Sequence, residues 1–297
     1  MDRIAPFLSK LFKTSVLLFT LVGLFTDLVQ AKDTIFWPYF DYPPLFIVEN
    51  GGVSGYGIDV LNLIKEELTE YDHKLISAAP KRIFENMKFG KNYCAVGPSK
   101  TEEREEYLYY SLPFRAVFPD MVIMRKQNAV NMGLTKEASL KDLLLNKNLV
   151  MGHINATSSD SFADGIIKKY GGSTRKETLS GSDSIQNLVQ MLHSKRIDWF
   201  IWDPASILFY EKRLETSKEL TALSVIEQNI PVALGYITCP KNDWGQIIIK
   251  RVNRVLIQEI PTEQYFNFFT PWVHDNQMES FRSIFKKYLI DTKESPQ

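Results

Sequence analysis

The sequence has few of the features that identify metalloproteins, nucleotide-dependent enzymes or nucleic-acid-binding proteins. It contains two cysteines and four histidines. The histidines do not have the HExxH spacing of a zinc site, and the cysteines do not form a closely spaced pair. Thirty-five basic residues balance 35 acidic ones without a basic cluster, which argues against nucleic acid as a partner. The stretch GGVSGYGID matches neither a dinucleotide fingerprint nor a phosphate-binding loop. It predicts a hairpin turn before a helix, and no metal or cofactor is expected.

The two cysteines, Cys94 and Cys239, lie far apart in the sequence and in strand-like runs. A disulfide between them is permitted in an oxidising compartment. Two buried free thiols are equally compatible with the sequence, because cysteine behaves as a small apolar residue. The sequence leaves both states open.

After residue 31 the sequence also lacks an apolar run long enough to cross a membrane. Arg3, Lys10 and Lys13 precede the apolar run SVLLFTLVGLF, and LVQA ends at Ala31. This pattern predicts a signal peptide over residues 1–31 that is cleaved on export to the periplasm. An uncleaved membrane anchor is the alternative, for which the run is short against the roughly 20 residues of a span.

Short apolar runs alternate with amphipathic segments along the rest of the chain. TIFWPYF, HKLISAA and YCAVGP are typical of strands, and GIDVLNLIKEEL and RIFENMKF are typical of the helices between them. A second unit follows, with strands LVMGHI, KETLS and DWFIWDP and helices FADGIIKKY and SIQNLVQMLHS. The alternation predicts an α/β protein with two mainly parallel sheets flanked by helices.

Two similar segments, FPDMVIMRKQ and IPVALGYITCPKN, are predicted to carry the chain between two lobes. The first lobe is predicted to contain residues 32–115 and 228–297, and the second lobe residues 116–227. The helical segments near the C-terminus are expected to pack back on the first lobe. Ligands of open α/β sheets collect in the cleft that such an arrangement creates.

The stretch SKTEEREEYLYYSLPF places two hydroxyl groups and an arginine directly after a predicted strand, at Ser99, Thr101 and Arg104. A helix N-terminus is one explanation, because either hydroxyl suits an N-cap and the following glutamates suit the positive end of the helix dipole. A ligand site is the other explanation. The residues of this stretch alone do not separate the two.

The chain resembles the bacterial extracellular solute-binding proteins of family 3, which include the polar amino-acid receptors of transporters. The resemblance rests on YFDYPPLFIVENGGVSGYGIDVLNLI, on TEER followed by YSLPF, and on RIDWFIWDP, in this order. It implies a two-lobed type II periplasmic-binding-protein fold that closes on its ligand by a hinge motion.

The resemblance also implies which residues contact the ligand. Arg104 is expected to bind an α-carboxylate with two parallel donors, supported by Ser99 and Thr101. Thr157 and Ser158 are expected to donate hydrogen bonds from the opposite wall, although the family's usual Gly-Ser is replaced by NA just before them.

Two further residues complete the expected site. Asp203, at the end of WFIWD, matches the carboxylate that receives the ligand's ammonium group, and a helix N-cap before Pro204 is the alternative. Tyr42 matches the aromatic residue that lies against the apolar part of the ligand.

Together these observations predict a monomeric, non-enzymatic receptor in the periplasm. Its expected ligand is an amino acid or organic acid, and its expected partner is the membrane permease of an ABC transporter. One alternative is a periplasmic dehydratase or lyase on the same scaffold, for which His153 is the nominated acid–base residue. A second alternative is a sensing module for a membrane signalling protein.

Overall fold

The computed structural model describes residues 32–154, 162–181, 183–216, 219–274 and 277–294. The strands are β1 (Thr34–Tyr39), β2 (Ile47–Glu49), β3 (Gly52–Ser54), β4 (Asp72–Ser77), β5 (Ala95–Val96), β6 (Leu108–Val117), β7 (Met121–Arg125), β8 (Glu137–Ala138), β9 (Val150–Ile154), β10 (Arg175–Leu179), β11 (Trp199–Trp202), β12 (Leu220–Val225) and β13 (Ala233–Pro240). The α-helices are α1 (Tyr56–Glu67), α2 (Pro80–Lys88), α3 (Glu102–Glu105), α4 (Lys126–Asn131), α5 (Leu140–Leu145), α6 (Phe162–Tyr170), α7 (Ser184–His193), α8 (Pro204–Arg213), α9 (Asp243–Glu259), α10 (Glu263–Asn267) and α11 (Met278–Phe285).

The glycine-rich stretch GGVSGYGID forms a hairpin followed by a helix, which confirms the prediction. Strands β2 and β3 pair antiparallel, and α1 begins two residues after β3. Gly55 precedes the helix with φ 108°, and a Cβ there would lie 2.5 Å from the carbonyl oxygen of Pro44. Glycine is therefore required at this position both by its backbone conformation and by the close approach of the chain.

The first lobe, defined here by the elements before Phe118 and from Ala233 onward, contains a parallel pair and an antiparallel sheet. Strands β1 and β4 pair in parallel, as a βαβ unit requires. Strands β5, β13 and β6 form a three-stranded antiparallel sheet with β13 in the middle. The α/β class is confirmed, and this lobe is more antiparallel than predicted because β6 leaves the lobe and β13 returns to it.

The second lobe, residues 121–225, is one six-stranded mixed sheet in the order β10-β9-β11-β7-β12-β8. The strands of the βαβ unit, β9, β10 and β11, pair in parallel. The entering strand β7 and the leaving strand β12 pair antiparallel with each other. Helices lie against both faces, so neighbouring residues of β7 alternate between two cores, Ile123 in one and Val122 in the other.

The C-terminal helices pack on the first lobe, as predicted. Helix α9 buries Ile248, Val252 and Leu256 on one face, at the four-residue spacing of a helical stripe. The rings of Phe266 and Phe285 lie 5.0 Å apart and belong to the same core. Among the helices of the described ranges, none is both long and apolar enough to cross a membrane.

Cys94 and Cys239 form a disulfide in the structure, which answers the question that the sequence left open. Their sulfur atoms are 2.02 Å apart and their Cα atoms 4.4 Å apart. Cys94 directly precedes β5, and Cys239 lies on the neighbouring strand β13. The disulfide therefore joins the two halves of the first lobe, which are separated in sequence by the whole second lobe.

Helix α8 of the second lobe contacts the first lobe at several points. The Ser206 hydroxyl donates to the carbonyl oxygen of Pro43 at 2.5 Å, and Lys212 Nζ donates to that of Pro271 at 2.6 Å. Ile47 of the first lobe packs into a core cluster of the second. The N-terminus of α8 is thereby fixed against the segment that carries Tyr42.

Candidate ligand-binding site

A cavity of about 650 Å³ lies between the two lobes. This volume suits a small molecule. The polar residues that line it are Tyr42, Tyr56, Ser99, Lys100, Thr101, Arg115, Asp120, Asp203, Gln228, Tyr236 and Gln277. Phe118, Trp272 and Phe281 add aromatic surface. The cavity thus combines charges of both signs with apolar walls.

Asp203 lies at the N-terminus of α8 and fills the capping position that was the alternative to ligand binding. Its Oδ1 accepts from the backbone N–H of Ser206 at 2.8 Å, and its Oδ2, 2.6 Å from the Ser206 hydroxyl, shares that hydroxyl's single proton with the carbonyl oxygen of Pro43. The same residue lines the cavity. Burial raises the pKa of Asp203, and the bonds from Ser206 and the charge of Arg115 oppose that shift. Capping and exposure to the cavity are therefore both present.

Tyr42 brings the first lobe into contact with Asp203. Its hydroxyl donates to Asp203 Oδ2 at 3.5 Å, across 161 residues of sequence. Burial, and then the nearby charge of Asp203, raise the pKa of Tyr42 well above its ordinary value. The hydroxyl is therefore a donor at neutral pH.

Arg115, on β6, lies beside this pair. Its Nη1 donates to the hydroxyl of Tyr56, whose ring centroid is 5.9 Å from the guanidinium carbon. Burial lowers the pKa of Arg115, but Tyr56, Tyr42 and Asp203 raise it by more, so the guanidinium stays charged. Tyr56 is the first residue of α1 and is buried.

Asp120 lies between β6 and β7, where the chain enters the second lobe. Burial raises its pKa to about 6, and the negative charges of Asp203 and Asp164 add to the shift. Its side chain nevertheless remains open to solvent on the cavity side. Asp120 and Asp203 together form a negative region on the cavity wall.

The stretch SKTEER lies at the edge of the cavity. Ser99 and Thr101 line it, and Thr101 also caps the short helix α3 by accepting from the backbone N–H of Arg104 at 3.3 Å. The guanidinium of Arg104 stacks on Phe84, 4.3 Å from the ring centroid, and donates to the carbonyl oxygen of Ser99 at 3.1 Å. This stretch therefore lines the cavity with Ser99, Lys100 and Thr101 and not with the arginine.

The structure describes some of the other predicted residues and not all of them. Thr157 and Ser158 lie outside the described residues, so their expected role stays a prediction. His153 lies on β9 in register with Thr178, away from the lining of the cavity. Burial, and then the charge of Lys176, lower the pKa of His153.

Among the cavity residues that sequence reasoning missed are Tyr56, Arg115 and Asp120. A signal for Arg115 was present, because it is the only charged residue in the ten-residue strand LYYSLPFRAV. A charged side chain in a half-buried strand needs a partner, and this one points to the cavity wall. No comparable signal existed for Tyr56, which reads from the sequence as a core residue.

The fold is shared with solved structures of ligand-binding proteins. An ancestral arginine-binding protein bound to arginine has a TM-score of 0.59 at 20% identity, covering 81% of this chain and 98% of that chain. A histidine kinase sensor domain similar to periplasmic binding proteins has a TM-score of 0.59 at 16% identity, covering 82% and 96%. An ancestral amino acid-binding protein, a precursor of cyclohexadienyl dehydratase, has a TM-score of 0.59 at 18% identity, covering 81% and 95%.

The family is shown by sequence. A search of curated proteins finds no match. The family model of the bacterial extracellular solute-binding proteins, family 3, matches residues 39–294, which span both lobes and the cavity between them. The chain therefore belongs to the bacterial extracellular solute-binding proteins, family 3.

Proposed function

We propose that the protein is an exported receptor that binds an amino acid or a closely related small molecule between its lobes. The main support for this proposal is the cavity, which residues of both lobes line and which has side chains of both charges in its wall. A zwitterion offers a carboxylate and an ammonium group to such a wall, and each charge gains a charge-assisted hydrogen bond there. The family and the ligand-binding proteins of the same fold support this reading.

Several cavity residues are the proposed ligand contacts. Ser99 and Thr101 would donate from the first lobe, Asp203 would accept from the second, and Tyr42 would cover the apolar part of the ligand. Arg104 stays a prediction, because its guanidinium would have to leave Phe84 to reach the cavity. We expect that movement to accompany closure of the lobes.

Closure by a hinge motion is the proposed mechanism. Two connections join the lobes. One is formed by residues 118–120 between β6 and β7, and the other by residues 226–232 between β12 and β13. These lie close to the predicted lobe boundaries at residues 115 and 228, which remain part of the proposal. A ligand shifts the lobes toward the closed form only by the difference between its affinities for the two forms.

We also propose that the protein is exported and delivers its ligand to a membrane transporter. The signal peptide would be removed after Ala31, and the monomeric receptor would release its ligand to the permease of an ABC transporter in the membrane around the periplasm. A signalling module would use the same closure without uptake. A dehydratase or lyase would consume the molecule that it binds.

A ligand screen tests the proposal. The exported protein is heated with amino acids, short peptides and organic acids in turn, and a ligand at 100 times its Kd is expected to stabilise the fold by about 2.7 kcal/mol. Each hit is then re-isolated to detect turnover and supplied in labelled form to cells with and without the gene. The receptor function fails if no amino acid or relative stabilises the protein, and the enzymatic reading gains if the hit is converted.

A further inference from the structure

We propose that the ligand carries a large apolar side chain, which lies at the hinge end of the cavity against Phe118, Ile230 and Phe281. The hinge end is the part of the cavity beside the two connections between the lobes. The inference rests on the proposed function, because it names the kind of amino acid that the same cavity accepts. Tyr42 then covers the part of the side chain nearest the charged head group, and the hinge end takes the remainder.

The cavity is elongated along one segment of the chain. Its lining includes Ala233, Leu234 and Tyr236 of β13, and also Ile230 and Val232 of the connection before that strand. A strand rises about 3.3 Å per residue, so the part from Ala233 to Tyr236 alone extends about 10 Å. A ligand that fills the cavity therefore has its head near one end of this segment and its tail near the other.

The end of the cavity at Tyr236 is polar. The backbone N–H of Tyr236 donates to the carbonyl oxygen of Pro98 at 3.2 Å, so the chain of residues 99–101 continues directly from this contact. These residues add two hydroxyl groups and the ammonium group of Lys100 to the cavity wall. Hydrogen-bonding partners for a charged head group are therefore available at this end.

The opposite end, beside the connections, is apolar. Ala233 is in register with Val117 of β6, and Phe118 follows Val117 in the chain. The ring centroids of Phe118 and Phe281 lie 6.4 Å apart, and both residues line the cavity. Phe118 also packs against core clusters of both lobes. A ligand side chain that reaches these rings leaves water for a preformed apolar wall.

The charged side chains of the cavity wall come from one part of the chain. Lys100, Arg115, Asp120 and Asp203 line the cavity, and all four precede residue 225. From residue 225 onward, the described residues that line it are uncharged, namely Val225, Gln228, Ile230, Val232, Ala233, Leu234, Tyr236, Phe269, Trp272, Val273, Gln277 and Phe281. A charged group at the tip of the ligand side chain would lose water there without gaining an ion pair.

Asp120 is the charged residue of the first connection. The negative charge of Asp203 acts on it, so it belongs to the charged part of the wall around Asp203. A cationic ligand side chain that paired with Asp120 is the rival to an apolar one. The comparison of norleucine with lysine separates the two.

Ile230 provides apolar surface that a ligand can cover. It lines the cavity and is 54% exposed, whereas Val232, which also lines the cavity, is 7% exposed. A ligand side chain packed against Ile230 removes apolar surface of both molecules from water. Ile226, in the same connection, is 55% exposed and lies outside the cavity lining. The two isoleucines therefore form a matched pair in which one residue contacts the cavity and the other does not.

The first test measures which amino acids the parent protein binds. The common L-amino acids, together with norvaline and norleucine, are assayed by thermal shift and then by calorimetry. From alanine through norvaline to norleucine, we expect the affinity to rise about two- to fourfold with each added methylene. Norleucine should bind at least about 30-fold more tightly than lysine, which has an ammonium group at the end of the same four-carbon chain.

The second test compares Ile230→Thr with Ile226→Thr. The measured quantity is the ratio of the norleucine affinity to the alanine affinity, because a change in the hinge alters both affinities alike. We expect Ile230→Thr to lower this ratio about fivefold and Ile226→Thr to leave it within about twofold. Melting without a probe shows whether each variant is folded.

Several results overturn the inference while leaving the receptor function intact. One is tighter binding of lysine, arginine or glutamate than of norleucine, and another is equal affinity from alanine to norleucine. Equal ratios for the two folded variants also overturn it. If the parent protein binds none of the amino acids, the proposed ligand class is wrong, and this inference is wrong with it.

Discussion

The two lobes are stabilised in different ways. The first lobe is assembled from two distant parts of the chain, and a disulfide joins these parts at β5 and β13. The second lobe is one continuous segment folded around a single sheet, with an ion pair between Arg125 and Asp198 and no cysteine. Bringing distant segments together costs loop entropy, and a crosslink between them offsets it in the unfolded chain. The first lobe, whose two parts are far apart in the sequence, is therefore the lobe that has the disulfide.

The largest expected effect is in the first lobe. Replacing both cysteines, Cys94→Ala with Cys239→Ala, should lower the free energy of unfolding by about 3–5 kcal/mol, because the link spans 145 residues of sequence. Urea unfolding of the variant and of the parent checks this. The reduced parent should behave like the variant. Equal midpoints for the variant and the oxidised parent would contradict the comparison.

The next effect is in the second lobe. Arg125 donates to the carbonyl oxygens of Leu192 and Ile197 and to the carboxylate of Asp198 at 3.0 Å. Arg125→Met leaves the Asp198 carboxylate without its counter-charge, with only the hydrogen bonds from Asn128 and the backbone N–H of Val150, and should cost about 3 kcal/mol. Urea unfolding measures the loss in the free energy of unfolding. A loss below the roughly 1 kcal/mol of an exposed ion pair would show that this ion pair does not stabilise the lobe.

A matched control is available in the first lobe. Arg251 pairs with Glu70 and donates to the carbonyl oxygen of Glu67, but the pair is partly open to water. Arg251→Met should therefore cost below about 1 kcal/mol. The difference between the two variants measures burial and not charge alone.

The smallest effect concerns the junction of the lobes. The pKa of Asp120 is raised to about 6, so between its usual value of about 3.9 and 6 the folded protein holds a proton that the unfolded chain releases. Stability therefore falls as pH rises through that window. The charges facing Asp120 are Asp203 and Asp164. Since Asp120 is open to solvent, the change in the free energy of unfolding across this pH window should stay below about 1 kcal/mol.

Asp120→Asn should flatten this pH dependence. Unfolding midpoints at about pH 4 and pH 7 are compared for parent and variant, and the parent should lose more between them. Equal losses would show that the carboxyl group titrates normally. Asp203→Asn provides the reciprocal check, because removing its charge should move the Asp120 window to lower pH.

The architecture was largely predictable from the sequence because it depends on local periodicity. The strands and helices of both βαβ units, the hairpin before α1 and the C-terminal packing all follow from apolar spacing and glycine positions. The antiparallel sheet of the first lobe was not predicted. It depends on which strand lies beside β13, and no local pattern encodes that neighbour.

The site was predictable only where a motif marks it. Ser99, Thr101, Asp203 and Tyr42, which lie in the motifs, line the cavity, and their contacts with a ligand stay predictions. Arg115 on β6 and Gly235 on β13 are neighbours in register although they lie 120 positions apart in the sequence, a relation that appears only after the strands pair. The disulfide was undecidable for the same reason, since spacing in sequence says nothing about spacing in space.

The disulfide also decides how the protein responds to a mechanical load. Because residues 121–225 lie between Cys94 and Cys239, the second lobe is enclosed in a covalent loop. Tension applied at the two chain ends passes from one sulfur atom to the other and bypasses that loop. Only the segments before residue 94 and after residue 239 can be stretched, so the second lobe stays folded under a pull that extends the first.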